Sequence, residues 1–143
     1  PMAVFTSSDN KSYFIDETGR LIANNTLKGF EGLPKIIDQS GFIGEIGDKV
    51  LPSDDIAFLL TVAYQLKKQE IPLRSLTLPR TDAPSRQLNV FVRGKPYYIK
   101  FSFVGDARQQ AGTYIALKEQ LEQEKKTPSR YIDVRVGGRA YYR

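Results

Sequence analysis

The last fourteen residues of the chain, 130–143, have the pattern of a β-hairpin. Ile132, Val134 and Val136 alternate with polar or amphipathic residues, and in a strand this period of two places the aliphatic side chains on one face. The next two residues, Gly137 and Gly138, can supply the two positive φ angles of a tight turn. We therefore predict that the chain closes with a strand, a two-residue turn and a second strand.

Similar period-2 runs recur along the chain and predict a mostly antiparallel sheet. The predicted strands are residues 3–5, 13–15, 20–23, 33–38, 73–78, 88–92 and 97–103. A break is predicted at residues 24–26, an irregular glycine-containing stretch at 28–50, and a loop at 79–84.

Two segments have helical spacing instead. The first is predicted to begin with Ser53 as N-cap, with Asp54 and Asp55 near the positive end of the helix dipole, and to stop close to Glu70. The second is predicted to begin near Asp106, which with Gln109 resembles a capping pair. The core positions that we predict are Ile56, Leu59, Leu60, Leu66, Leu117, Leu121, Ile132 and Val134.

The length and hydrophobic content predict one domain over residues 1–143. The chain is 41% hydrophobic, which suffices for one well-formed core. A helix with a single apolar stripe needs a partner surface, and a sheet with one apolar face needs a cover. We predict an α+β fold, a mostly antiparallel β-sheet with about two helices packed on one face.

The chain contains no histidine and no cysteine. Hydrolases with a Ser-His or Cys-His pair, and zinc or iron enzymes that use these ligands, are therefore excluded. The pair Asp54-Asp55 is explained by its place in a first helical turn, and the glycine-rich residues 41–47 lack the lysine of a phosphate loop. We expect no catalytic residue, no metal and no cofactor, and hence no enzyme.

The basic excess of the chain is concentrated at its end. Residues 125–143 hold six Lys or Arg against the single acid Asp133, a net charge of +5, with tyrosines interleaved. A nucleic-acid surface has this composition, but neither an RRM-type aromatic signature nor a helix-turn-helix is present, so nucleic acid is not the expected partner. Attraction to anionic lipid headgroups or wall polymers is compatible with the charge, which is too modest to anchor the domain.

Two interpretations of the closing hairpin remain open. Basic residues on a last strand can simply protect an exposed sheet edge from aggregation. Tyrosine and arginine are also enriched at protein interfaces, which favours a docking edge. The candidate partner-binding residues are Arg135, Val136, Arg139, Ala140, Tyr141 and Tyr142.

Several motifs resemble the FtsQ/DivIB family of bacterial septum proteins. The run at 131–135, Tyr-Ile-Asp-Val-Arg, is similar to a signature near the end of that family, with Val134 where leucine is commoner. Residues 12–22 resemble its strand, acidic-Gly turn and returning strand. Residues 33–37 resemble its Leu-Pro strand, and 90–99 its hairpin before the last helix. The motifs follow the family's order over essentially the whole chain.

The resemblance implies an extracytoplasmic β domain that acts as a non-enzymatic scaffold of the divisome. Its last strand would receive a segment of an FtsB/DivIC-like bitopic partner, itself coiled to an FtsL-like protein. The natural protein would be a single-pass protein of the cytoplasmic membrane, with this domain on the extracytoplasmic side at the division site. A cytoplasmic tail, a membrane helix and a POTRA domain would lie upstream.

The sequence is compatible with that expectation. It opens with Pro1, and none of its apolar runs approaches the ~18 to 20 residues that cross a bilayer, so we expect a piece of a longer protein. The alternative is a small carbohydrate- or nucleic-acid-binding module with a basic C-terminal hairpin. A histidine-free enzyme with a carboxylate pair is the least favoured.

Overall fold

The computed structural model of the protein describes residues 2–25, 32–80 and 86–143. The predicted break at 24–26, the predicted irregular stretch at 28–50 and the predicted loop at 79–84 therefore fall partly outside the described residues. The elements are β1 Ala3–Thr6, β2 Ser12–Ile15, β3 Leu21–Asn24, β4 Lys35–Asp38, α1 Ser53–Lys68, β5 Leu73–Leu78, β6 Gln87–Val92, β7 Tyr98–Ser102, α2 Ala107–Gln123, β8 Tyr131–Asp133 and β9 Tyr141–Tyr142.

The described strands form one sheet in the order β3-β2-β1-β4-β5-β6-β7-β8-β9. Antiparallel pairing joins β1 to β2, β2 to β3, β5 to β6, β6 to β7 and β8 to β9. Parallel pairing joins β1 to β4, β4 to β5 and β7 to β8. The predicted α+β class with a mostly antiparallel sheet is thus confirmed, although the sheet is mixed.

Helical crossovers account for two of the three parallel pairs. Helix α1 connects β4 to β5, and α2 connects β7 to β8. A helix that returns the chain to the same end of the sheet makes the next strand parallel to the previous one. The period of a strand does not contain this information, so the sequence did not predict it.

The helices contact each other, and α1 also contacts β5 while α2 contacts β7. Residues from both helices and from the sheet belong to one buried cluster. Of the predicted core, the buried residues are Ile56, Leu59, Leu66, Leu121, Ile132 and Val134. Leu60 and Leu117 are only half-buried and lie at its margin, so their full burial was wrongly predicted.

The buried face of α1 differs slightly from the one that the sequence predicted. Phe58 and Val62 are buried, and the ring of Phe58 lies 6.4 Å from that of Phe101 on β7, edge to face. Because Phe58 and Val62 are buried, the centre of the buried face of α1 lies away from Leu60, which is at the side of that face.

The start of α1 differs from the prediction. Pro52 is the N-cap, no side chain caps the helix, and Ser53 is its first residue, so the prediction of Ser53 as N-cap was wrong. Asp54 and Asp55 do lie in the first turn. Asp55 is buried and ion-paired with Arg86, and its burial raises its pKa despite the opposing effect of Arg86.

Helix α2 begins as predicted, with Asp106 as N-cap. The carboxylate of Asp106 accepts a hydrogen bond from the backbone N–H of Gln109 at 2.8 Å. The next residue, Gln110, is buried and donates to the backbone oxygen of Ser102 at 3.0 Å while accepting from its N–H at 2.9 Å. This pair of bonds ties the start of α2 to the end of β7. In the described part of the chain, no helix is long and apolar enough to cross a membrane.

Candidate functional site: the C-terminal sheet edge

The closing hairpin is less regular than predicted. Its strands are β8 and β9, paired with Ile132 opposite Tyr142 and Asp133 opposite Tyr141, and residues 134–140 form the connection. Gly137 and Gly138 do occupy a turn, in which the N–H of Arg139 donates to the oxygen of Val136 at 3.0 Å. Only Gly138 has a positive φ, +70°, so the predicted two-residue hairpin turn was wrong.

The side chain of Asp133 explains why β8 stops early. Its Oδ1 accepts a hydrogen bond from the N–H of Arg135 at 3.0 Å. An aspartate that bonds to the backbone two residues on offers that N–H an alternative to the strand ladder. The pairing to β9 therefore ends at Asp133, and Val136, predicted to lie within the first strand, lies in the turn.

The backbone of β9 has one side that no described strand uses. Arg143 and Tyr131 form a hydrogen-bonded pair, with N–H to oxygen distances of 3.0 and 3.1 Å. Hydrogen-bonded and non-bonded pairs alternate along antiparallel strands, so the facing pair of Ile132 and Tyr142 is non-bonded. The N–H and C=O of Tyr142 therefore point away from β8, on what we call the free side of β9.

The opposite sheet edge, β3, is partly covered. The N–H of Leu21 donates to the oxygen of Asp48 at 2.9 Å, and that of Gly47 donates to the oxygen of Leu21 at 2.7 Å. Arg20 and Lys49 add an isolated antiparallel bridge. Within the described residues, β9 is the edge whose outer side no strand or bridge covers.

The two tyrosines of β9 lie on opposite faces of the sheet. Directly opposed residues of an antiparallel pair share a face, so Tyr142 lies on the side of buried Ile132 and Tyr141 on the side of Asp133. Tyr141 is 52% exposed and Tyr142 is 44% exposed. A depression of about 560 Å³ adjoins them and is lined by Tyr131, Asp133 and residues 140–143. A strand added to β9 would thus meet an aromatic side chain on either face.

The other predicted site residues differ in how accessible they are. Arg135 is engaged: it bonds both carboxylate oxygens of Asp133, at 2.7 and 2.9 Å, and Gln87 at 3.0 Å. Val136 and Arg139 are exposed in the turn, whereas Ala140 is half-buried against the core. All six predicted residues therefore lie on the edge hairpin. Arg139 forms no ion pair with any residue that the structure describes.

The ion pair between Asp133 and Arg135 sets the charge beside the edge. Burial acts to raise the pKa of Asp133, but the hydrogen bonds from Arg135 outweigh it and hold this pKa below its ordinary value of 3.8. The same hydrogen bond raises the pKa of Arg135. Both groups are consequently charged near neutral pH, and their charges largely cancel.

We expect Asp133→Asn to destabilise the domain near neutral pH and to do so less in acid. A carboxylate whose pKa is depressed by folding contributes stability above its unfolded pKa and loses that contribution as pH falls through the folded pKa. The free energy of unfolding of the parent minus that of the variant should therefore shrink between about pH 5 and pH 2. Urea unfolding at a series of pH values measures it.

Glu119→Gln is the matched control, since Glu119 is an exposed carboxylate of α2. It should leave the curve close to that of the parent. A difference between the parent and Asp133→Asn that does not change with pH would show that the ion pair does not stabilise the fold.

Sequence reasoning missed a row of aromatic rings beside the edge. The rings of Phe91 and Tyr98 lie 5.2 Å apart, and those of Tyr98 and Tyr131 lie 6.3 Å apart. Lys100 places its ammonium 3.8 Å from the Tyr131 ring. These residues occupy alternate positions of β6, β7 and β8 and lie on the sheet face opposite buried Val90. We call this face the open face. The alternation was visible in the sequence, but the adjacency of these strands was not.

The other motifs are accounted for by local structure. In the glycine-rich stretch, the N–H of Gly44 donates to Ser7 at 2.9 Å and that of Glu45 donates to Asp48 at 2.9 Å, so they are not available to a phosphate. No group of three or more acidic, His or Cys residues that could hold a metal ion occurs in the described part of the chain.

Neither a protein-family model nor a curated protein matches this chain. The likeness to the FtsQ/DivIB family therefore rests on the motifs in the sequence and on their order.

Proposed function

We propose that this domain is a non-enzymatic scaffold that binds an extended segment of a partner protein by strand addition at the free side of β9. The observation that carries the proposal is the outward N–H and C=O of Tyr142, on a sheet edge that no other described strand covers. Unpaired backbone groups at an edge are a template for another strand, and side chains next to them select which strand binds.

The side chains around β9 suit this role. Tyr141 and Tyr142 offer large contact areas, one on each face, at a low cost in side-chain entropy. Arg139 is exposed and free of ion pairs among the described residues, whereas Asp133 is already neutralised by Arg135. The edge therefore presents a positive field, which favours a segment that carries acidic residues.

The resemblance supplies the identity of the proposed partner. In an FtsQ/DivIB-like protein, the segment would come from an FtsB/DivIC-like bitopic protein in complex with an FtsL-like one, and binding would help septum formation. The domain would then act on the extracytoplasmic side of the membrane at the division site. The lack of histidine and cysteine supports the non-enzymatic part of the proposal.

The test is titration calorimetry of the domain with the extracytoplasmic part of the organism's own FtsB/DivIC-like protein. We expect binding that is lost when the domain is truncated at Gly137, because β9 is then absent. Wild-type affinity of the truncated domain would falsify the edge mechanism. The truncated domain must first show a cooperative unfolding transition, so that loss of binding is not loss of folding.

Charge reversal at Arg139 is a second test of the same surface. Arg139→Glu should weaken binding more than Arg139→Ala, and added salt should shrink the difference, because exposed charges are screened within about 10 Å at 0.1 M salt. Equal effects of the two substitutions at low salt would show that the segment is not acidic near this residue.

The open face supports a second candidate, a carbohydrate- or nucleic-acid-binding module. Aromatic rings of Phe91, Tyr98 and Tyr131 with Lys100 nearby can stack on sugars or bases and attract anions. Binding of peptidoglycan fragments or single-stranded oligonucleotides that Tyr98→Ala abolishes and truncation at Gly137 preserves would favour this candidate over the scaffold.

A further inference from the structure

A second concave site lies in the middle of the sheet, away from β9. It is a cavity of about 240 Å³ between the end of α1 and the starts of β4 and β5. Strands β6, β7 and β8 separate β5 from β9, so this cavity does not belong to the docking edge. The apolar side chains that line it are Leu33, Pro34, Ala63, Ile71, Pro72, Leu73 and Leu76.

The rim of the cavity is positively charged. Four described cations are among its lining residues: Lys35 and Arg74 from the sheet, Lys67 from the last turn of α1, and Arg93 after β6. Lys35 neighbours buried Ile36 in β4, and the guanidinium of Arg74 lies 5.0 Å from the centre of the Phe91 ring, so both of these side chains lie on the open face. Lys67 and Arg93 are therefore the cations that we assign to the rim. All four are exposed, none forms an ion pair with a described residue, and no acidic residue is among the described lining residues. Like charges gathered around an apolar cleft raise the local concentration of anions.

Backbone hydrogen bonds within the fold fix the position of the cavity wall. The N–H of Val4 donates to the oxygen of Pro34 at 2.9 Å, and the N–H of Arg93 donates to the oxygen of Pro72 at 2.9 Å. Ser75, which is 6% exposed, is also a lining residue, but it pairs with Phe91 whereas Leu76 pairs with Val90, so its hydroxyl, 3.2 Å from that of Thr77, lies on the sheet face opposite Leu76. A largely pre-formed apolar pocket with a few polar groups is the usual form of a small-ligand site.

We propose that this cavity binds an anionic amphiphile, with its apolar tail against the leucine and proline wall and its carboxylate or phosphate at Lys67 and Arg93. The volume of about 240 Å³ is below the range of roughly 300 to 1,000 Å³ usual for ligand pockets, so the tail is short. The apolar lining selects against simple inorganic anions, and the charged rim selects against neutral or cationic amphiphiles. This proposal does not depend on strand addition at β9.

The test is titration of the domain with octanoate and octyl phosphate, followed by calorimetry or by amide chemical shifts. Octanol lacks the charge, octylammonium reverses it, and acetate and inorganic phosphate lack the tail. The two anionic amphiphiles should bind at least about tenfold tighter than any of these controls, a difference of about 1.4 kcal/mol. Equal binding of octanol, or of acetate and inorganic phosphate, would overturn the proposal.

Variants of the rim charges test whether the amphiphile binds at this cavity. The double variant Lys67→Gln/Arg93→Gln should weaken octyl phosphate binding about tenfold or more, because it removes both rim cations. Lys68→Gln is the matched control, since Lys68 neighbours Lys67 in the last turn of α1 but does not line the cavity. These side chains are exposed, so both variants should fold. An equal loss in the control, or no loss in the double variant, would contradict the assignment.

Vesicles distinguish the two sources of such an anion. If the ligand is a lipid headgroup with part of its chain, phosphatidylglycerol vesicles should bind the domain, phosphatidylcholine vesicles should not, and octyl phosphate should compete. If the ligand is a free amphiphile, only the soluble probes bind. Vesicle binding that octyl phosphate does not reduce and that the double variant retains would place the vesicle contact on another surface and exclude a lipid headgroup as the ligand of this cavity.

Discussion

Replacing Leu59 by alanine is expected to lower the free energy of unfolding by about 2 to 5 kcal/mol. Leu59 has 0% exposure and lies in the single core that both helices share with the sheet. The truncation removes apolar contacts and leaves a cavity that the packed surroundings fill only in part. Urea unfolding, with an unchanged dependence of the free energy on urea concentration, measures the loss.

Leu60→Ala is the matched control because it makes the same change one residue further along α1. Leu60 is half-buried at the margin of the core, so the expected loss is clearly smaller. Equal losses at the two positions, or a larger loss at Leu60, would mean that α1 presents a different face to the sheet.

Tyr142→Pro is expected to abolish the proposed strand addition while leaving the domain folded. Proline has no N–H, and the N–H of Tyr142 is the donor that points to the free side of β9. This N–H takes no part in the pairing with β8, because Ile132 and Tyr142 are a non-bonded pair. Calorimetry with the proposed partner, an FtsB/DivIC-like protein, should show at least a tenfold loss of affinity, about 1.4 kcal/mol.

Two further substitutions at the same position separate backbone from side chain. Tyr142→Phe keeps the N–H and the ring, and should bind nearly as the parent does. Tyr142→Ala should cost roughly 1 to 3 kcal/mol of binding, because it removes an interfacial aromatic side chain without opening the core. An unchanged thermal unfolding midpoint checks the fold of each variant. Parent-like affinity of Tyr142→Pro would exclude a partner strand that bonds to this N–H.

The contrast between local and tertiary information is clearest at the closing hairpin. Alternation in residues 130–143 predicted strands, and both β8 and β9 exist where strands were expected. The length of the turn was wrongly predicted, because the carboxylate of Asp133 binds the N–H of Arg135 and ends the ladder early. The prediction of a tight turn considered only the two glycines and did not include this competing hydrogen bond.

The helices show the same division. The cap at Asp106 followed from a local bond between a side chain and a backbone N–H three residues on, and it is present. The position of Asp55 was predicted from the helix dipole. Its burial and its ion pair with Arg86, the residue before β6, depend on the packed fold. Likewise, the half-burial of Leu60 depends on where the sheet lies against α1.

By itself, the sequence determined where the strands and helices lie to within a few residues, most of the side chains that share a buried face, and which chemistries are impossible without histidine and cysteine. These properties follow from the backbone period and from the side-chain inventory, which are local. Only the tertiary structure decided that β7 and β8 lie side by side, that the aromatic row and the cavity beside α1 exist, and that no other described strand covers the outer side of β9. Each of these depends on contacts between segments far apart in the chain, which no local pattern specifies.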